Sequence, residues 1–133
     1  MRGNMELSLF MESIRARVRR NGTAEPRDIE AVEARLEKNP TSASLWILRG
    51  DLILLCEGDI WAHEDALDSY RTALRHDPTN AEAHEELGHY FYAVEDRPDQ
   101  AEPYLSKAIS LGAGATAHEV LACVMKELRA RAN

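Results

Sequence analysis

The sequence predicts an all-α fold in which helix–turn–helix repeats stack into a right-handed solenoid. Three observations predict it. Apolar residues recur at spacings of three and four along nearly the whole chain. Glycine- and proline-containing turns divide the chain at short intervals. The same sequence landmarks return at a regular offset. A chain of 133 residues, 44% hydrophobic, is long enough to form one domain with its own core.

The turns separate about seven helices. They fall at the Asn-Gly pair 21–22, the Asn-Pro and Asp-Pro pairs 39–40 and 77–78, and the loops 57–59, 96–98 and 112–114. We place the helices near 4–20, 26–38, 42–56, 60–75, 80–94, 98–110 and 115–131. Because each loop is short, successive helices are expected to be antiparallel neighbours.

Internal repetition is the most informative feature. The stretch AHEELG at 83–88 returns as AHEVLA at 117–122, an offset of 34. A pattern of two alanines around a large residue returns at an offset of 35, from Ala66, Tyr70 and Ala73 to Ala101, Leu105 and Ala108. The Asn39-Pro40 pair and Gly50 have counterparts at an offset of 38, in Asp77-Pro78 and Gly88. Repeats of this length indicate a solenoid.

This pattern resembles the tetratricopeptide repeat, a helix–turn–helix unit of about 34 residues. The resemblance implies a single domain over residues 1–133, with a divergent first hairpin at 4–41, repeats at 42–78 and 79–113, and a capping helix at 114–133. It also implies that Gly50, Gly88 and Ala122 lie where one helix presses on its partner, and that the aromatic residues Trp46 and Tyr70 are core.

The resemblance further implies a concave groove, lined by the first helix of each repeat, that binds a segment of another protein. Carried over by position, the groove residues are Ile47, Asp51, Leu54 and Leu55, then Glu82, Glu85, Glu86, His89 and Tyr92, and finally Thr116, Glu119 and Cys123. Such a groove is apolar at one end and acidic in the middle, which favours a partner segment with basic and apolar residues. The expected function is a non-catalytic scaffold or adaptor without a cofactor.

Charge and composition exclude several classes of ligand and location. Residues 39–112 carry 14 acidic and 5 basic side chains, which disfavours nucleic acid. No stretch approaches the ~18 apolar residues of a membrane span, and the N-terminus does not resemble a secretory signal. Cys56 and Cys123 have neither disulfide-scaffold nor metal-site spacing. These features predict a cytoplasmic protein that does not bind membranes.

Two sequence features admit an alternative interpretation. His84 and His89 resemble a zinc-binding helix, but their i,i+5 spacing separates the rings by roughly 140°, so no metal site is expected. The first helix carries Arg15, Arg17, Arg19 and Arg20 beside an apolar stripe. Either the stripe packs on the second helix and the arginines favour the helix C-terminus, or the helix lies on a membrane surface or fits the groove of a partner. Self-association into a homodimer or larger assembly is therefore the alternative function.

Overall fold

A computed structural model describes residues 2–133 as seven helices joined by short loops. They are α1 (Arg2–Asn21), α2 (Pro26–Lys38), α3 (Ala43–Leu55), α4 (His63–His76), α5 (Ala81–His89), α6 (Pro98–Ser110) and α7 (Ala115–Ala132). A π-helical turn, Tyr90–Val94, continues α5. No strand occurs in this range, and the nearest approach to one is an isolated bridge between Ala24 and Cys56. The predicted all-helical fold is confirmed.

Several helices begin where the sequence supplies a suitable first residue. The side chains of Ser42 and Asn80 accept hydrogen bonds from backbone N–H groups of the first turn, at 3.3 and 3.0 Å, and so cap α3 and α5. Pro26 and Pro98 open α2 and α6, where the proline ring already has a helical φ and no N–H is needed. Local sequence therefore defines these helix boundaries.

The two central hairpins repeat each other in their hydrogen bonds. The indole N–H of Trp46 donates to the carbonyl oxygen of Pro40 at 2.9 Å, and Nε2 of His84 lies 3.0 Å from the carbonyl oxygen of Pro78. The two rings are separated in sequence by the same offset as the two prolines. The sequence predicts that Trp46 is core, but its side chain is only half buried, because this hydrogen bond holds the ring near the α2–α3 loop.

Close approach within each hairpin depends on glycine. A Cβ at Gly50 would lie 2.6 Å from Cε1 of Tyr70, and a Cβ at Gly88 would lie 2.5 Å from Cγ of Leu105. Both expected packing points are therefore confirmed. The third is wrong: Ala122 is exposed on α7, because no helix of the described residues packs against this side of it.

The first hairpin packs on α3 although its sequence matches the repeat poorly. Ile14 and Val18 bury the apolar stripe of α1. The guanidinium of Arg35 lies 4.3 Å from the ring centroid of Phe10, which joins α2 to α1 by a cation–π contact. The N–H of Ala24 donates to the carbonyl oxygen of Leu55 at 3.0 Å and ties the α1–α2 loop to the end of α3.

The π-helical turn changes which residues of α5 face the core. Tyr90 and Phe91 are consecutive, yet both are buried, and their rings meet edge to face at 5.6 Å. Phe91 also stacks on Tyr104 of α6, with ring centroids 5.6 Å apart. The extra residue of a π turn rotates the next residues about the helix axis. Tyr92 is left half buried beside the core.

Candidate partner-binding groove

Arg15 connects three helices across one face of the solenoid. Its Nη1 lies 3.2 Å from Oδ2 of Asp51 in α3, and its Nη2 lies 3.6 Å from Oε1 of Glu82 in α5. These contacts show that α1, α3 and α5, the first helices of successive hairpins, line a common face. The predicted acidic groove therefore already contains a basic side chain of the same chain.

A hydroxyl group joins two carboxyl groups beneath this ion pair. Tyr70 of α4 is completely buried, and its hydroxyl donates to Oδ1 of Asp51 at 2.7 Å and lies 3.5 Å from Oε2 of Glu86. Burial, followed by the negative charge of Asp51, raises the pKa of Glu86 to about 9. Burial and the same two carboxyl groups raise the pKa of the Tyr70 hydroxyl. This shift favours the protonated, neutral form of Glu86.

Opposing influences act on Glu82 at the edge of the groove. Partial desolvation at the groove edge raises the pKa of Glu82, the positive charge of Arg15 lowers it, and Asp51 and Glu85 raise it, with a net upward shift. Nearby, Nε2 of His89 lies 3.6 Å from Glu85, and Nδ1 of His89 lies 3.9 Å from Glu86. The acidic part of the groove thus carries less negative charge than its four carboxyl groups would suggest.

An apolar cleft separates α1 from α3 next to this polar network. It has a volume of about 290 Å³, and its apolar lining comes from Val18, Leu48, Leu52 and Leu55. Arg15, Arg19 and Asp51 line it as well, with Gly22 at the α1–α2 turn. Leu55 is 46% exposed, which is high for a leucine beside the core. We call this feature the α1–α3 cleft.

The predicted groove residues separate into three groups. The prediction for Ile47 is wrong, because its side chain is completely buried beneath the groove surface. Those of intermediate burial are Asp51, Leu54, Glu85, Glu86, His89 and Tyr92, and those that are exposed are Leu55, Glu82, Thr116, Glu119 and Cys123. Direct contacts join Asp51, Glu82, Glu86 and His89 through Arg15 and Tyr70.

Sequence reasoning missed the contribution of α1 to this face. One of the alternatives is that α1 packs on α2, and contacts between these helices are present: Arg17 of α1 pairs with Asp28 of α2, and Arg35 of α2 lies over the ring of Phe10. Neither alternative places α1 beside this groove. The contribution of α1 could have been predicted from its position as the first helix of a hairpin, because the first helices of successive hairpins line this face.

The described residues offer neither a metal site nor a membrane span. Among residues 2–133, no three His, Cys, Asp or Glu side chains are grouped closely enough to hold a metal ion. The ring of His84 faces Pro78, whereas His89 faces Glu85 and Glu86, so the two histidines have separate surroundings. Over the same part of the chain, every helix is too short or too polar to cross a bilayer.

Comparisons with known proteins agree with this architecture. The profile of the TPR repeat family matches residues 62–95, which comprise α4, α5 and the π-helical turn. No curated protein sequence matches the chain. Among solved structures, the chain is similar to PilW, a widely conserved type IV pilus biogenesis factor, with a TM-score of 0.63 and 23% identity. The match covers 80% of this chain and 44% of PilW, so the chain spans less than half of that protein's length. The chain therefore contains a segment at residues 62–95 that is similar to the TPR repeat family, within an all-helical fold that is similar to that of PilW.

Proposed function

We propose that this chain is a non-catalytic scaffold or adaptor that holds a segment of another protein on the face formed by α1, α3 and α5. The α1–α3 cleft carries the proposal, because it is a concave, mostly apolar site at the edge of a charged network. A large apolar side chain of the partner would lie over Val18, Leu52 and Leu55. This contact would supply the anchor of the interaction.

The charges beside the cleft favour a basic residue in the same partner segment. Arg15 compensates part of the negative charge of Asp51 and Glu82, and the raised pKa of Glu86 favours its neutral form. The side chains of Glu82 and Glu85 are partly accessible to a partner. A lysine or arginine of the partner would lie over these two. Such contacts act more on association rate than on affinity and weaken with salt. We expect a dissociation constant on the order of micromolar, which corresponds to a binding free energy of about −8 kcal/mol.

A quantitative pull-down from the native host tests the groove. Wild-type chain is compared with Leu55→Glu, which places a charge in the cleft, and with Glu82→Lys combined with Glu85→Lys. The matched control, Glu30→Lys with Glu37→Lys, makes the same charge change on exposed positions of α2. We expect one or more proteins to be lost with both groove variants and retained by the control. If every captured protein is retained by all variants, binding at this groove is refuted.

Self-association through α1 is a second candidate function. Met5 and Leu9 lie about one turn apart on α1, and both of these large apolar side chains are strongly exposed. Adjacent exposed apolar side chains are typical of an interaction surface. Sedimentation velocity over a wide concentration range distinguishes this candidate from partner binding. A mass that rises with concentration, and that returns to monomer in Met5→Glu with Leu9→Glu, would support self-association.

A further inference from the structure

A second concave site lies between α2 and α3, on the side of α3 that faces away from the groove. It is a cleft of about 350 Å³, lined by Glu33, Leu36 and Glu37 of α2 and by Trp46 and Arg49 of α3. We call it the Trp46 cleft. Asp51, the groove residue of α3, follows Arg49 by two positions, a rotation of about 200° on a helix with 3.6 residues per turn. The Trp46 cleft and the groove therefore use opposite sides of α3.

The next hairpin shows why this cleft is open. Trp46 and His84 hold equivalent positions, and each ring is bound to the carbonyl oxygen of the proline six residues before it. In the second case the ring of Tyr104 lies beside His84, with centroids 6.2 Å apart. The equivalent of Tyr104, at the offset of 35 between α4 and α6, is Ser69, which is too small to cover an indole ring. Trp46 is therefore left half buried at the cleft.

The charge of Arg49 is already engaged by other side chains. Arg49 stands where the next hairpin has the completely buried Leu87. Its Nε donates to Oε2 of Glu33 at 3.0 Å, and its Nη1 donates to Oγ of Ser69 at 2.6 Å. Glu33 thus compensates Arg49, whereas Glu37 is exposed and forms no ion pair within the described part of the chain. The side chains that line the cleft therefore have a net negative charge.

The Trp46 cleft combines three features that favour a cation. The indole N–H is bound to the carbonyl oxygen of Pro40 at 2.9 Å, so the ring keeps one orientation. Leu36, only 6% exposed, offers an apolar surface to the methylene groups of a long side chain. Glu37 supplies a carboxylate. A cation over an indole ring is attracted by the negative face of its π system, and tryptophan is the best aromatic residue for this contact.

We propose that the Trp46 cleft binds a cationic side chain of a partner protein, and that an arginine fits it best. The planar guanidinium would stack on Trp46 and donate hydrogen bonds to Glu37. A lysine ammonium would form the same ion pair as a point charge, without the stacking. The chain already contains one contact of this kind, since the guanidinium of Arg35 lies 4.3 Å from the ring centroid of Phe10.

Short peptides test the chemistry of the cleft in the full chain. The probe is a glycine–arginine–glycine peptide with blocked ends. Its matched control contains citrulline, which has a planar group of the same shape without the charge. The indole N–H resonance of Trp46 is followed in ¹⁵N spectra, and the indole of Trp61, which is also half buried, reports non-specific effects. We expect a saturable shift of Trp46 with a dissociation constant on the order of millimolar for arginine, weaker for lysine and weakest for citrulline.

Matched variants assign the contact to named side chains. Glu37→Gln should weaken binding of the arginine peptide by about threefold, the effect of losing a partly exposed ion pair. Asp68→Asn removes the same charge from an exposed position of α4 and should leave binding unchanged. Trp46→Leu should abolish the shifts of the α2 amides that accompany binding. Equal shifts with the arginine and citrulline peptides, no saturable shift up to about 20 mM peptide, or equal effects of Glu37→Gln and Asp68→Asn would overturn the proposal.

This site is independent of the proposed groove, and the two can be tested apart. Leu55→Glu, which blocks the α1–α3 cleft, should leave the shift of Trp46 unchanged. A Trp46 shift that disappears in Leu55→Glu would assign the effect to the groove and refute binding at the Trp46 cleft. In the pull-down, a protein held at the Trp46 cleft would be retained by the groove variants and lost with Glu30→Lys combined with Glu37→Lys.

Discussion

Arg15 reaches from the first helix of this protein to Asp51 in the third, with 3.2 Å between their charged groups. The contact joins two distant parts of the sequence and places a cation of α1 inside a face that sequence alone predicts to be acidic. A partner that binds there meets a network in which charge is already partly compensated. Its specificity then depends on the α1–α3 cleft as much as on the carboxylates.

Removing the guanidinium should change the titration of a neighbouring carboxyl group. Because Arg15 lowers the pKa of Glu82 against the effect of partial desolvation, Arg15→Gln should raise the pKa of Glu82 further. Side-chain ¹³C NMR titration of both proteins measures the change. Arg19→Gln is the control, since Arg19 lies on the same helix without a contact to Glu82. An unchanged pKa of Glu82 in Arg15→Gln would contradict the observed geometry. The loss of stability should be small, about 0–1 kcal/mol, because the pair is partly exposed.

The raised pKa of Glu86 predicts a specific dependence of stability on pH. Its pKa is about 9 in the folded chain against 4.5 for the ordinary group, so its contribution to stability is complete below pH 4.5. That contribution is lost progressively as the pH rises toward 9, by at most about 1.4 kcal/mol per pH unit. Glu86→Gln imitates the protonated form and removes this loss.

The melting temperature of Glu86→Gln minus that of wild type should therefore increase as the pH is raised from about 5 to about 9, which is the window set by the two pKa values. Glu30→Gln, on the exposed side of α2, should show no such trend. A constant difference between Glu86→Gln and wild type over this range would mean that Glu86 is ionised in the folded chain.

The same kind of substitution at equivalent positions of α5 and α7 should have different consequences. Gly88→Leu forces a side chain against Leu105 and should cost ~1–3 kcal/mol of unfolding free energy. Ala122→Leu adds a side chain at an exposed position and should leave stability nearly unchanged, as most surface substitutions do. Urea denaturation measures both. Comparable losses in the two variants would show that α7 is covered in the monomer.

Asp28 should be important for the first hairpin. It is buried, accepts a hydrogen bond from the N–H of Glu25 at 2.9 Å, and pairs with Arg17 of α1. Asp28→Ala removes a helix cap together with the link between α1 and α2, and should cost ~1–2 kcal/mol. Asp28→Asn retains an acceptor for the Glu25 N–H and should cost less. Asp68→Ala, at an exposed carboxylate of α4, provides the baseline in the same denaturation experiment.

The helices and their pairing could be predicted without the tertiary structure. Apolar spacing, capping residues such as Ser42 and Asn80, and short turns are local properties, so the helices lie close to the predicted ranges. The packing roles of Gly50 and Gly88 also follow from sequence, because the residues that press on them recur at a fixed offset. Because the hairpins repeat, the residues that form a contact between two helices recur at a regular spacing in the sequence.

The character of the binding face, in contrast, depends on contacts between helices that are distant in sequence. The partner of Arg15, the complete burial of Ile47 and the raised pKa of Glu86 each depend on residues from other helices, since the free energy of a buried charge depends on all its neighbours together. The exposure of Ala122 is of the same kind: its local sequence matches that of Gly88, but no helix of the described residues covers it. A repeat pattern predicts which helix faces can pack against another helix, and the tertiary structure determines which of these faces are exposed to solvent.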